Sequence, residues 1–142
     1  MDGYRISTET REMDFDVIYT FISTSYWAKG IPKATMKKAI ENAFCFALFD
    51  FENNQVGFAR LITDKATFAY LADVFILEDH RQKGLSKWLI SEIINHPQLQ
   101  GLRRMMLATK DAHGLYQQFG FEPLNSPEML MQIHKPDAYK NL

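Results

Sequence analysis

The residues of this chain best suited to chemistry lie between Asp73 and Leu89. An apolar run, Val74-Phe75-Ile76-Leu77, passes through a short turn into Arg81-x-x-Gly84-x-Ser86, and a helix follows with Leu85, Trp88, Leu89 and Ile93 at apolar spacing. The first turn of a helix has unpaired N–H groups at the positive end of its dipole, and a glycine there lets a ligand approach the backbone without meeting a Cβ. A pyrophosphate suits such a cradle, and Arg81, Lys83 and Lys87 could pair with further phosphate oxygens. Taken alone, this six-residue pattern is more simply the start of a surface helix with solvated basic side chains.

About thirty residues on, Ala112-His113-Gly114-Leu115-Tyr116-Gln117-Gln118-Phe119-Gly120-Phe121 places a tyrosine on a short helix one turn before Gly-Phe. A left-handed glycine at a helix end turns the chain sharply, and a tyrosine on an amphipathic helix is ordinarily a core residue with a wet hydroxyl. His113 shares its helical face and is either a surface histidine or a group able to pass protons near neutral pH. Asp73 is a carboxylate inside an apolar strand. It is either a functional group or is anchored by buried N–H donors. Cys45 sits in the apolar run Ala43 to Phe49 and reads as a buried thiol. As the only cysteine it excludes an internal disulfide, a CxxC pair and a zinc cluster.

The elements that must position these residues follow from spacing and turn signals. Tyr4 to Ser7 opens as a strand, and Asp14 or Asp16 caps a helix through Phe15, Ile18, Tyr19 and Ile22 that should end near Tyr26. Lys33 to Asn42 reads as a second helix, so a helix-loop-helix comes early. Ala43 to Phe51 and Val56 to Ile62 form a hairpin around Glu52-Asn53-Asn54. Thr67 to Leu77 is apolar on both faces, as a strand covered on each side should be. Then come a helix from about Gly84 to Asn95, a strand from Leu102 to Thr109, a helix from Ala112 to Phe119 and a last strand around Met129 to His134. This alternation predicts an α/β fold with a mixed sheet.

The 142 residues read as one domain without repeats or linkers, and 16 basic against 17 acidic residues leave no broad field for a polyanion. No nucleic acid partner is expected. The longest apolar run falls far short of a membrane span and the N-terminus lacks a signal-peptide layout, which points to the cytoplasm and to no membrane partner.

The two motifs together, in this order behind a two-faced apolar strand, resemble the GCN5-related N-acetyltransferase (GNAT) family. Tyr70 to Leu89 is similar to its pyrophosphate-binding motif, R/Q-x-x-G-x-G/A, and Ala112 to Phe121 to its second CoA-binding motif. The resemblance implies a GNAT-like α/β domain over residues 1–142, with a mixed central sheet flanked by helices and a helix-loop-helix after the first strand. It also implies acetyl-CoA as cofactor and acetyl transfer to a primary amine of a small molecule or peptide. Backbone groups of Val74, Phe75 and Ile76 would pair with the pantetheine arm. Amides of Gln82, Lys83, Gly84, Leu85, Ser86 and Lys87, with Arg81 beside them, would hold the pyrophosphate.

Tyr116 stands where the family often places a general acid for the departing thiolate. Tyr70 to Ile76 is similar to a strand of polyamine acetylators that carries an adjacent Glu-Asp pair. Here Ala72 replaces the Glu, and Asp73 remains as the candidate base. Ser86 replaces the usual Gly or Ala, Glu78 a frequent proline, and Thr109 an asparagine that often ends the strand and contacts the cofactor. The acceptor pocket should lie where the helix-loop-helix faces the central strand, with Tyr26, Trp27, Asp64 and Tyr70 as candidate walls for a cationic amine. For Tyr26 and Trp27 the simpler reading is packing of the loop onto the core. A non-catalytic acyl-CoA-binding or sensing module is the alternative, and a homodimer is left open.

Overall fold

The structure, a computed structural model, describes residues 1–140. Nine main elements follow in order: β1 (Arg5–Ser7), α1 (Phe15–Ile22), α2 (Lys33–Glu41), β2 (Phe44–Phe49), β3 (Gln55–Thr63), β4 (Phe68–Ile76), α3 (Leu85–Ile94), β5 (Arg104–Leu107) and α4 (His113–Gln117). The strands form one sheet in the order β1-β2-β3-β4-β5. The first three pairings are antiparallel, and β4 pairs with β5 in parallel across the α3 connection. This is the α/β fold with a mixed sheet and an early helix-loop-helix that the alternation predicts.

Local chemistry sets the element ends. The Asp14 carboxylate accepts the Val17 N–H at 3.2 Å and starts α1. The helix stops at Ile22, four residues earlier than the spacing suggests. There the Ser25 hydroxyl donates to the Ile22 carbonyl at 2.6 Å and accepts the Ala28 N–H at 3.2 Å, a side-chain alternative to further helical bonds. The hairpin turn between β2 and β3 is held by Asp50, whose carboxylate accepts the Glu52 and Asn54 N–H groups.

The sheet is covered on both faces. On one, Phe46, Leu48, Leu61 and Leu71 pack against Leu85, Leu89, Ile90 and Ile93 of α3, with Tyr116 from α4. On the other, Cys45, Phe58 and Phe75 pack against Ile18 and Ile22 of α1 and Met36 and Ile40 of α2. The double coverage explains why β4 reads as apolar on both sides. Two expectations fail at the C-terminal end. β5 is only four residues long and α4 only five; between them the Thr109 hydroxyl accepts the Ala112 N–H at 3.0 Å and turns the chain into α4. The strand expected at Met129 to His134 is absent. That segment has an extended stretch but no neighbouring strand to complete a ladder.

Candidate active site

The site begins with an irregularity in β4. Phe58 of β3 faces Phe75, yet Arg60 faces Ala72, so Asp73 and Val74 together oppose Ala59. This is a β-bulge, and Asp73 takes the left-handed conformation it needs, with φ 55°. A bulge bends its strand. Before it, β4 pairs with β5 from Phe68 opposite Arg104 to Leu71 opposite Leu107. Beyond it the pairing stops, and the edge of Val74, Phe75 and Ile76 turned away from β3 has no partner strand among the described residues. The opposite edge stays tight against β3, since a Cβ on Gly57 would lie 2.9 Å from Ile76 Cδ1.

The turn after β4 makes a concave run of amides. Gln82 has φ 64° and Gly84 φ 79°, and among the described residues no N–H from Gln82 to Lys87 donates a backbone or side-chain hydrogen bond. Successive backbone amides in alternating conformations form an anion-binding nest, here continuous with the N-terminus of α3. A Cβ on Gly84 would meet only Met1 Cε, at 4.0 Å, so the space beside it is open. Arg81 Nε donates to the Ile76 carbonyl at 2.9 Å and fixes the turn to the end of β4. Lys83 Nζ lies 3.4 Å from the Tyr4 hydroxyl, whereas Lys87 is exposed.

Asp73 is anchored. Its side chain is 5% exposed, with Arg60 Nε donating to Oδ2 at 2.7 Å and Trp27 Nε1 donating to Oδ1 at 2.7 Å. Both oxygens are therefore engaged, and the pair fastens the loop between α1 and α2 to the bulge. Trp27 and Tyr26 do not bury themselves in the core: they are 43% and 61% exposed, edge to face at 5.0 Å. The Lys110 ammonium sits 5.5 Å from the Tyr26 ring centroid. Tyr70 lies on the same side of the sheet, half-buried beside the exposed Ile62. Asp64, expected as a second carboxylate wall, is a turn residue. It accepts the Thr67 hydroxyl and the Ala66, Thr67 and Phe68 N–H groups, and these bonds hold its carboxyl below the usual range.

Tyr116 has a buried ring, set edge to face with Phe121 at 5.7 Å, and its hydroxyl forms no hydrogen bond among the described residues. With Thr109 and His113 it borders a cavity of about 350 Å³. Burial raises its pKa, and Tyr26 raises it further. The Cys45 thiol is pushed up to about 12 by burial and is no nucleophile. Arg60 and the bulge escape the sequence reading. The one available signal is an arginine in an otherwise apolar strand, which implies a buried acid across the ladder.

Comparison with known proteins agrees with this arrangement. Residues 41–123 match the acetyltransferase (GNAT) domain family. A Gibberella zeae protein designated an acetyltransferase is 33% identical over 135 residues, covering 80% of this chain and 75% of that one. A solved Xanthomonas campestris chain placed in the GNAT family is 46% identical, with a TM-score of 0.95 over 99% of both chains. The fold also matches a GNAT family acetyltransferase from Elizabethkingia anophelis solved with acetyl-CoA bound, at 14% identity and a TM-score of 0.65 over 88% of this chain and 80% of that one.

Proposed function

The chain belongs to the GNAT acetyltransferase family, and on that premise we propose that it binds acetyl-CoA and transfers the acetyl group to a primary amine by direct attack. The observation that carries this reading is the run of amides from Gln82 to Lys87 that bond nothing among the described residues, lying beside the edge of β4 that has no partner strand there. The residues present fit the cofactor, because the space at Gly84 is one a Cβ would enter and the bulge at Asp73 frees a strand edge. Amides 82–87 hold the pyrophosphate, with Lys87 and Arg81 adding charge. The edge at Val74 to Ile76 holds the pantetheine arm as an added strand would be held.

When bound, acetyl-CoA supplies an activated thioester. A backbone N–H near Val74 polarises the carbonyl. The neutral amine forms the new C–N bond as the C–S bond breaks, and its surplus proton passes to water. Tyr116 donates its hydroxyl proton to the sulfur and regains one from solvent. Its raised pKa keeps it protonated throughout the working range. Asp73 acts here as a positioning residue, since its two oxygens hold Arg60 and Trp27. Tyr26, Trp27 and Tyr70 form the aromatic wall that receives the amine of a small molecule or peptide. A thiol-release screen with acetyl-CoA across a library of primary amines tests the proposal. At least one amine should give free thiol and its own acetylated product. Binding of acetyl-CoA with no thiol release across the library would identify a sensing module instead.

A further inference from the structure

Arg60 is the charged residue of β3, and it pairs across the ladders with Cys45 of β2 and Ala72 of β4. Cross-strand partners share a face, so Arg60 lies on the side of the sheet that α1 and α2 cover over Cys45. That cover ends at Arg60. Two positions on along β3, Ile62 is 48% exposed on the same face, opposite the half-buried Tyr70. The Arg60 side chain is 16% exposed, and its Nε is engaged by Asp73. Its Nη1 and Nη2 groups make no hydrogen bond among the described residues. No buried side-chain nitrogen among those residues lacks a partner, so both Nη groups reach solvent. The guanidinium is also held from behind, because Asp73 grips it end-on and is itself fixed by the Trp27 indole. An arginine held in this way has little rotamer freedom left to lose, and its planar fork matches a carboxylate.

The local charge points the same way. Among the described residues, the ionised groups in hydrogen-bond or cation–π contact with Tyr26, Trp27 or the bulge are Arg60, Lys110 and Asp73. Both oxygens of Asp73 are engaged, and Asp64 is occupied by its own turn. Neither acid is left to receive a second ammonium, so a polyamine would meet cations where it needs carboxylates. We propose that Arg60 selects an acceptor with a carboxylate beside its primary amine, an α-amino acid of apolar side chain, and that the Nη groups hold that carboxylate. Arg60 is tied to Asp73, the neighbour of the Val74 N–H assigned to the thioester carbonyl. A carboxylate held there suits an acceptor whose amine and carboxylate share one carbon. Ile62 and Tyr70 receive the apolar side chain. The inference rests on the acetyl-transfer reading and names the substrate class of that same site.

Rates of acetyl-CoA-dependent thiol release by the wild type on leucine, methionine and phenylalanine, each against its carboxamide, and on spermidine test it. kcat/KM for each acid should exceed that for its amide by about tenfold to a hundredfold, with the difference in KM, and spermidine should be poorer than any of the acids. The amide carries the weaker base, which is more often neutral, so the comparison leans against the proposal. Arg60→Lys keeps a cation for Asp73 but loses the fork, and should bring the acid-to-amide ratio close to one. Should that variant fail to fold, isocaproate, which has the carboxylate and side chain of leucine without its amine, provides a measurement on the wild type. It should compete with the accepted amine, and isocaproamide should not. Amides or spermidine used as well as the acids, a preference that survives Arg60→Lys, or equal competition by isocaproate and isocaproamide would overturn this inference and leave acetyl transfer standing. No acetylation of any amine would overturn both.

Discussion

At the residue scale the sharpest expectation concerns the Tyr116 hydroxyl, which has no hydrogen-bond partner among the described residues and points to no packing role of its own. Tyr116→Phe keeps the ring against Phe121 and removes one oxygen, so acetyl-CoA affinity and melting temperature should hold. A positioned general acid is worth about 10²-fold to 10⁴-fold, and a thiol near pKa ~8.5 is only a moderately poor leaving group, so turnover should fall by about 10²-fold, or roughly 3 kcal/mol of barrier. Steady-state kinetics on an accepted amine, with chemistry limiting, decide the matter. A variant that keeps half the wild-type kcat makes Tyr116 a packing residue. Tyr116 stands out in the sequence because its motif is local. Asp73 was legible only as a pair of alternatives, because its partners Arg60 and Trp27 are 13 and 46 residues away in sequence. Which alternative holds depends on a register slip that apolar patterning does not reveal.

At the element scale the turn from β4 into α3 does most to define the site. Its glycine was readable from spacing, as was the helix behind it. The positive φ of Gln82 was not, since glutamine carries no sequence signal for that conformation. Gly84→Val should abolish acetyl-CoA binding in a folded protein, but at φ 79° any branched residue also strains the backbone. Gly101 supplies the control, because it has the same φ and no atom within 4 Å of where its Cβ would stand, yet lies away from the nest. Calorimetric titration should show binding lost in Gly84→Val and kept in Gly101→Val, with similar losses of stability. Equal affinity in the two variants would remove the phosphate role from this turn. The missing last strand has a different cause. Met129 to His134 has the alternation of a strand, but pairing depends on a neighbour that a single sequence cannot supply.

At the scale of the whole molecule, the fold class was legible because each face of the sheet meets its own helices, α1 and α2 on one side and α3 with α4 on the other. Two-sided coverage writes apolar residues into both faces of the strands, and the helical spacing between them survives in the sequence. No helix among the described residues is long and apolar enough to cross a membrane. We propose that this scaffold opens a strand edge and an amide nest for acetyl-CoA. Thermal unfolding with and without that ligand tests it most directly, because a ligand that binds only the folded state contributes about 2.7 kcal/mol at a hundredfold excess over its dissociation constant. Saturating acetyl-CoA should raise the melting temperature by several degrees, and NAD at the same concentration should leave it nearly unchanged. No shift with acetyl-CoA, or an equal shift with NAD, would rule out a CoA site on this sheet.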